Sequence, residues 1–125
     1  MSNEKHPTFG NGKICYIVMP ATNIDEAAKF YETVFNWQIR KREDGSTSFD
    51  DGVGEESGTW VTGMPPHQAK GLSIHLMVDD MDVTLQAIVA NGGKIVEPVG
   101  KDSPEITASF SDPTGNVFGL YQHRG

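Results

Sequence analysis

Apolar residues recur along this chain with two different spacings, which predict short strands separated by two helices. Residues 14–19 are rich in strand-forming side chains, so we predict a buried strand there. Asn23, with Glu26 three residues later, has the spacing of a capping box, and the apolar residues that follow recur at helical spacing. The pattern therefore predicts a strand and then a helix, which we expect to end at Asn36.

Three further strands complete the first half of the chain in this interpretation. They are predicted at residues 37–42, 47–50 and 59–63, with a hairpin turn at Asp44-Gly45 and a loop over residues 51–58. Residues 1–12 are polar and are interpreted as a flexible arm, while residues 64–71 contain Pro65-Pro66 and are interpreted as a linker. The first module of the fold is therefore predicted to span residues 13–63.

The second half of the chain repeats this order of elements, and we predict a second module over residues 72–123. Its strands are predicted at residues 72–78, 94–99, 106–111 and 117–122, with a helix that begins after Asp80 and stops at Gly92-Gly93. An offset of about 57 residues superposes the two halves, so that Tyr16 falls on Ser73. Because one such β-α-β-β-β unit leaves a sheet face uncovered, we expect the two modules to pack as a pair.

Length and composition limit the number of domains and exclude several kinds of binding partner and metal site. A length of 125 residues predicts a single domain, and a formal charge of -7 argues against nucleic acid or an anionic membrane as a partner. No apolar run approaches the roughly 20 residues that span a bilayer, so we expect a cytoplasmic protein. Cys15 is the single cysteine, which excludes an intrachain disulfide and a cysteine-cluster metal site.

Three stretches of sequence together carry a resemblance to a known superfamily. They are residues 19–23 running into 29–37, residues 77–82 leading to 90–95, and residues 110–120, which contain Asp112-Pro113-Thr114-Gly115-Asn116. In this order and spacing the chain resembles the vicinal oxygen chelate superfamily of glyoxalases, dioxygenases and bleomycin-resistance proteins. The resemblance implies an α+β fold in which two βαβββ modules form a curved, mixed and antiparallel sheet that encloses a cleft, with the helices outside.

The same resemblance implies where metal-dependent members carry their ligands. Those positions correspond here to Tyr16, Ser73, Gly119 and the neighbourhood of residues 60–62. A serine hydroxyl and a neutral tyrosine are poor ligands for a divalent metal, and glycine has no side chain to offer. We therefore predict a protein that uses no metal and no other cofactor.

The cleft implied by the resemblance suggests a set of ligand-binding residues. Side chains alternate along a strand, so His75 shares a face with Ser73, and Tyr121 shares one with Gly119. His75 is the candidate acid or base, because imidazole titrates near neutral pH. The predicted cleft residues are Tyr16, Trp60, Ser73, His75, Gly119 and Tyr121. For His75 and the tyrosines an ordinary packing role is the competing interpretation, and Cys15 is expected to be a packed thiol. The other histidines are expected at the surface: His6, His67 and His123.

The sequence as a whole favours a metal-independent protein that binds an unknown small molecule in an apolar, aromatic cleft. One alternative is a metal-independent enzyme, of lyase or isomerase type, in which His75 transfers protons. Others are a metal-dependent lyase or dioxygenase with non-standard ligands, and a non-catalytic interaction domain. A homodimer is predicted because such folds pair modules and leave strand edges exposed, whether the modules pair within one chain or between two.

Overall fold

The computed structural model describes residues 7–100 and 105–122 of the chain. Residues 1–6 of the predicted arm and residue 123 lie outside the described ranges. The elements are β1 (Tyr16–Pro20), α1 (Ile24–Phe35), β2 (Gln38–Lys41), β3 (Thr47–Asp50), β4 (Ser57–Val61), β5 (His75–Val78), α2 (Met81–Ala90), β6 (Lys94–Glu97), β7 (Ile106–Ser111) and β8 (Val117–Gln122). The predicted β-α-β-β-β order therefore occurs twice.

The strands form two four-stranded sheets with the same topology. The first sheet has the order β1-β4-β3-β2, and the second has the order β5-β8-β7-β6. In each sheet the first pair is parallel and the other two pairs are antiparallel. This arrangement confirms the predicted α+β fold of two modules with mixed sheets.

Both helices begin at the residues that the sequence indicates, and α1 ends at the expected Asn36, whereas α2 ends at Ala90, just before the predicted stop at Gly92-Gly93. The Asn23 side chain accepts a 2.9 Å hydrogen bond from the backbone N–H of Glu26, which satisfies a donor that the first helical turn leaves free. Asn36 ends α1 in the left-handed conformation, with φ of 60°. The Asp80 side chain caps α2 in the same way as Asn23 caps α1. Among the described residues, no helix is long and apolar enough to cross a membrane.

Five strands have bounds that differ from those predicted. β1 covers Tyr16–Pro20 and β2 covers Gln38–Lys41, where residues 14–19 and 37–42 were expected, and β4, β5 and β6 differ as well. β4 covers Ser57–Val61, two residues earlier than expected, and the Ser57 hydroxyl donates a 2.6 Å hydrogen bond to Asp50 on the neighbouring strand. β5 begins only at His75, so Leu72 precedes it and is exposed. β6 ends at Glu97, after a register shift that interrupts its pairing with β7.

The two sheets share one hydrophobic core, which also contains the buried faces of both helices. The Tyr31 ring of α1 stacks on Trp37 at a centroid distance of 4.5 Å and meets Phe118 of the second sheet edge-on at 6.4 Å. Phe30 stacks on Phe110 of β7 at 6.1 Å. Each sheet therefore packs one of its faces against the common core. The other face of each sheet lies away from this core, and we call it the inner face of that sheet.

A buried polar cluster fastens the two halves together at the turn before β8. One carboxylate oxygen of Asp112, Oδ1, accepts hydrogen bonds from the backbone N–H groups of Thr114, Gly115 and Asn116. The Asn116 side chain donates to Oδ2 of Asp112 at 3.0 Å and to the carbonyl oxygen of Pro20 at 2.8 Å. A turn that the sequence predicts is thus also a link between β1 and the second sheet.

Candidate functional site

The inner face of the second sheet carries a row of residues that crosses all four strands. His75 of β5 pairs with Gly119 of β8, Gly119 pairs with Ser109 of β7, and Ser109 pairs with Glu97 of β6. Residues paired across a sheet point to the same face, so the row is continuous. The Ser109 hydroxyl donates a 3.2 Å hydrogen bond to Oε1 of Glu97. The neighbouring row consists of Met77, Tyr121 and Thr107.

His75 lies at one end of this row and forms a pair with Ser73. The Ser73 Oγ atom is 3.0 Å from Nε2 of His75, and both side chains are exposed. Which of the two groups donates the hydrogen bond depends on the imidazole tautomer. Within the described part of the chain, Ser73 is the one hydrogen-bond partner of the imidazole. The pair therefore combines a hydroxyl and a titratable ring on the inner face.

Gly119 provides the space that the His75 ring fills. A Cβ atom built on Gly119 would overlap Nδ1 and Cε1 of His75, and its three nearest atoms all belong to that imidazole. The backbone beneath the ring is fixed, because the N–H of Gly119 donates a 2.8 Å hydrogen bond to the carbonyl oxygen of Ile74. Any other residue at position 119 would require His75 to adopt a different side-chain conformation.

The inner face of the first sheet has a different set of polar groups. Oδ1 of Asp50 accepts hydrogen bonds from Arg40 at 3.1 Å and from the Ser57 hydroxyl at 2.6 Å. The two rows on this face are Tyr16, Ser57, Asp50 and Gln38, and then Val18, Thr59, Ser48 and Arg40. Tyr16 is 51% exposed and Val18 is 49% exposed. This face therefore presents apolar side chains beside an ion pair that is already hydrogen-bonded.

The structure brings four of the six predicted site residues onto one surface. Ser73, His75, Gly119 and Tyr121 all belong to the inner face of the second sheet, as alternation along the strands predicts. Tyr16 lies on the inner face of the first sheet. A ligand-binding role for these residues stays a prediction.

Trp60, the sixth predicted residue, needs a correction. It pairs with Met19 on the core side of β4, is 2% exposed, and its ring lies 4.7 Å from that of Phe49. A tryptophan on this side of the strand stabilises the core and does not form a wall of the inner face.

Cys15 and His67 also differ from expectation, while His6 and His123 lie outside the described residues. Cys15 is exposed, although a packed thiol was expected. His67 was expected at the surface, but its ring packs on Phe118 at 5.8 Å, and its Nε2 atom is buried without a hydrogen-bond partner in the described ranges.

The residues of the two inner faces that were not predicted as part of a site include Arg40, Asp50, Glu97 and Ser109. Alternation along residues 106–111 separates Ser109 from the core residue Phe110, and this signal would have identified Ser109. The pairing of Ser109 with Glu97, and of Asp50 with Arg40, depends on strand register, which the sequence pattern does not give.

The residues at the positions where the resemblance implies metal ligands do not fit a divalent metal. Tyr16 and Ser73 contribute hydroxyl groups, Gly119 contributes none, and the Ser73 hydroxyl is already bonded to His75. Glu97 lies at the far edge of the sheet from His75, three strands away. No cluster of three or more His, Cys, Asp or Glu side chains suited to a metal occurs in residues 7–100 and 105–122.

Two modules, each with a mixed sheet covered by one helix, agree with a family model that matches residues 13–120. That model describes the Glyoxalase/Bleomycin resistance protein/Dioxygenase superfamily. The chain belongs to this superfamily.

Individual relatives are distant from this superfamily member. A glyoxylase-like domain-containing protein of Didymella fabae is 27% identical over 131 residues, which cover 92% of this chain and 97% of that protein. CFP32 of Mycobacterium tuberculosis is 26% identical over 129 residues, which cover 94% of this chain. The match covers 48% of CFP32, so the chain spans about half the length of that relative.

Solved structures of the superfamily show the same fold at low identity. The fosfomycin resistance protein FosX of Listeria monocytogenes superposes with a TM-score of 0.74 at 14% identity. The superposition covers 90% of this chain and 94% of that chain. At such low identity, the likeness concerns the fold alone.

Proposed function

We propose that this superfamily member binds a small organic molecule on its inner faces without the help of a metal. The observation that carries the proposal is what stands at two positions where the resemblance implies metal ligands: Ser73 has a hydroxyl that is bonded to His75, and Gly119 has no side chain. Such a site binds through hydrogen bonds and apolar contacts, as most small-molecule sites do.

The side chains of the inner faces suggest the kind of molecule that fits. Val18 and Met77 offer apolar surface, and the tyrosines at positions 16 and 121 combine an aromatic ring with a hydroxyl. Arg40 already forms an ion pair with Asp50, so its positive charge is partly neutralised and it is less suited to bind an anionic ligand. The ligand we propose has an apolar or aromatic body with a few hydroxyl, carbonyl or amine groups.

We further propose that two copies of the chain form the complete site. Both sheets direct their other faces into one core, and parts of each inner face stay exposed in the described part of a single chain. Tyr16, Val18 and Met77 are each about half exposed or more on these faces. A second copy that placed its first sheet over this second sheet would bury these apolar side chains and would enclose the ligand between residues of two chains.

A second candidate function is metal-independent proton transfer by His75. The observation that favours it is the 3.0 Å contact between the Ser73 hydroxyl and Nε2 of His75, which is within the distance needed for a base to accept a hydroxyl proton. In that case the protein would be a lyase or isomerase. A cytoplasmic location is proposed with either function, since the chain is acidic and has one cysteine.

The test of the proposed function is a binding experiment combined with metal analysis. Protein purified without chelators is expected to contain far less than one equivalent of zinc, nickel, iron or manganese by mass spectrometry. Calorimetry with bleomycin, fosfomycin and a library of aromatic alcohols and amines is expected to identify a ligand. For that ligand, we expect His75→Ala to weaken binding at least about tenfold.

The matched control is Lys70→Ala, an exposed linker position outside the inner faces, which should leave affinity unchanged. A tightly held equivalent of metal in the purified protein would contradict the metal-free site. A ligand whose affinity ignores His75→Ala would contradict the proposed location. If a substrate is found, His75→Gln distinguishes proton transfer from binding, because turnover should fall while affinity is largely kept.

A further inference from the structure

Two positions at which the superfamily resemblance implies metal ligands both contact His75 in this chain. Ser73 bonds to Nε2 of the imidazole at 3.0 Å, and the missing side chain of Gly119 leaves the space that Nδ1 and Cε1 occupy. We infer that Ser73 and Gly119 are positioning residues for His75 and that they fix its imidazole on the inner face of the second sheet.

The inference deepens the proposed function. It rests on that function in one respect, namely that the fixed imidazole contacts the ligand. An exposed histidine ordinarily samples several staggered side-chain conformations in solution. Here the hydroxyl on one side and the backbone of β8 on the other favour one of them. A ring held in one conformation before the ligand arrives loses less entropy on binding, which is a direct gain in affinity.

The hydrogen-bonded pair of Ser73 and His75 also indicates a class of ligand. A serine hydroxyl has two acceptor lone pairs and one proton. Whether Ser73 donates to His75 or accepts from it, the Ser73 oxygen keeps a lone pair for another partner. Glu97 adds a carboxylate acceptor at the other end of the same row. The second sheet is therefore suited to a ligand that donates hydrogen bonds, such as an alcohol or an amine.

Nuclear magnetic resonance of the full, ¹⁵N-labelled chain tests the positioning without any ligand. Long-range ¹H–¹⁵N spectra report the ratio of the two neutral tautomers of each imidazole. They are best recorded at a pH of about 8, above the ordinary histidine pKa of about 6.5. The signals of His75 are those that disappear in His75→Gln. In the unmodified chain we expect a tautomer ratio that departs from that of free histidine, because one ring nitrogen is bonded to Ser73.

Three variants and one control make the experiment decisive. Ser73→Ala removes the partner and Gly119→Ala fills the space, so each should move the His75 tautomer ratio towards the ratio of free histidine. Ser73→Thr keeps a hydroxyl and should stay closer to the unmodified chain. Gly71→Ala is the matched glycine control, because a Cβ atom there meets nothing within 4 Å, and it should change nothing.

The inference is overturned if Gly119→Ala leaves the signals of both His75 ring nitrogens unchanged. It is also overturned if Gly71→Ala shifts these signals as much as Gly119→Ala does. It is equally overturned if the two alanine variants at positions 73 and 119 have no effect while His75 behaves as free histidine throughout. These results do not depend on finding a ligand. Failure of the proposed function would appear separately, as intact positioning in a protein that binds nothing or that holds a metal elsewhere.

Discussion

The Tyr31 hydroxyl donates a 2.8 Å hydrogen bond to Oδ2 of Asp112, and both residues are buried. The two residues are 81 positions apart, on the helix of the first module and in a turn of the second. The same carboxylate accepts hydrogen bonds from three backbone N–H groups of its own turn. This bond therefore couples the conformation of the turn to the packing of the two modules.

Replacing Tyr31 with phenylalanine should destabilise the protein while keeping its aromatic contacts. The change removes one donor to a buried carboxylate, and hydrogen bonds to charged groups contribute about 1.5–3 kcal/mol. We expect the free energy of unfolding in urea to fall by about that amount. Tyr16→Phe is the control, because the exposed Tyr16 hydroxyl has no hydrogen-bond partner among the described residues. Equal losses in both variants would contradict the special role of Tyr31.

The same tyrosine should make stability depend on pH in the alkaline range. Burial raises the pKa of Tyr31 well above its ordinary value of 10.0, and the negative charge and hydrogen bond of Asp112 raise it further. Above a pH of about 10 the unfolded chain loses this proton while the folded chain keeps it, so stability should fall as pH rises. Below that pH the contribution is fully present.

Urea unfolding at several pH values between about 9 and 11 measures this contribution. The decline in stability should be shallower in Tyr31→Phe than in the unmodified chain, and Tyr16→Phe should keep more of the decline. A decline in Tyr31→Phe as steep as that of the unmodified chain would contradict the raised pKa.

Gly58 is predicted to tolerate no side chain. A Cβ atom there would overlap the carbonyl oxygen of Ile17 and ring atoms of Phe49, and β1 and β4 are paired at this point. We expect Gly58→Ala to lower the free energy of unfolding by at least about 1–3 kcal/mol, as overpacking of a core does. Gly71→Ala has open space and should be close to neutral. A melting temperature unchanged in Gly58→Ala would show that β1 can move away from β4.

Local sequence signals predicted the elements of this fold well, because they depend on neighbouring residues. Asn23 and Asp80 begin helices since their side chains reach backbone N–H groups three residues on. β7 and β8 have the predicted bounds, and the turn between them is stabilised by Asp112. Each of these features is decided within a few residues of chain.

The site was harder to predict, because its pairs come from strands far apart in sequence. The bonds of Ser109 to Glu97 and of Arg40 to Asp50 depend on register. Trp60 was misplaced because a strand of five residues has two faces, and only its pairing with Met19 shows which one enters the core. The contact of His75 with Gly119 involves an absent side chain, which no composition or periodicity reveals.

Association of two copies through the inner faces is the last prediction. β1 and β5 are edge strands of their sheets. Met77 of β5 is 67% exposed and lies on the inner face of the second sheet. We expect sedimentation equilibrium at micromolar concentration to show a dimer. Tyr16→Glu and Met77→Glu should each raise its dissociation constant at least about tenfold, because a charge buried without a partner is costly.

Val83→Glu is the matched control for this prediction. Val83 is an exposed apolar residue too, at 61%, but it belongs to α2, away from both inner faces. The control should leave the dissociation constant unchanged, and all three variants should keep the far-ultraviolet circular dichroism of the unmodified chain. A chain that is monomeric at these concentrations would contradict a shared site. A dimer that Val83→Glu disrupts, and that Tyr16→Glu and Met77→Glu leave intact, would place the interface on the helices instead.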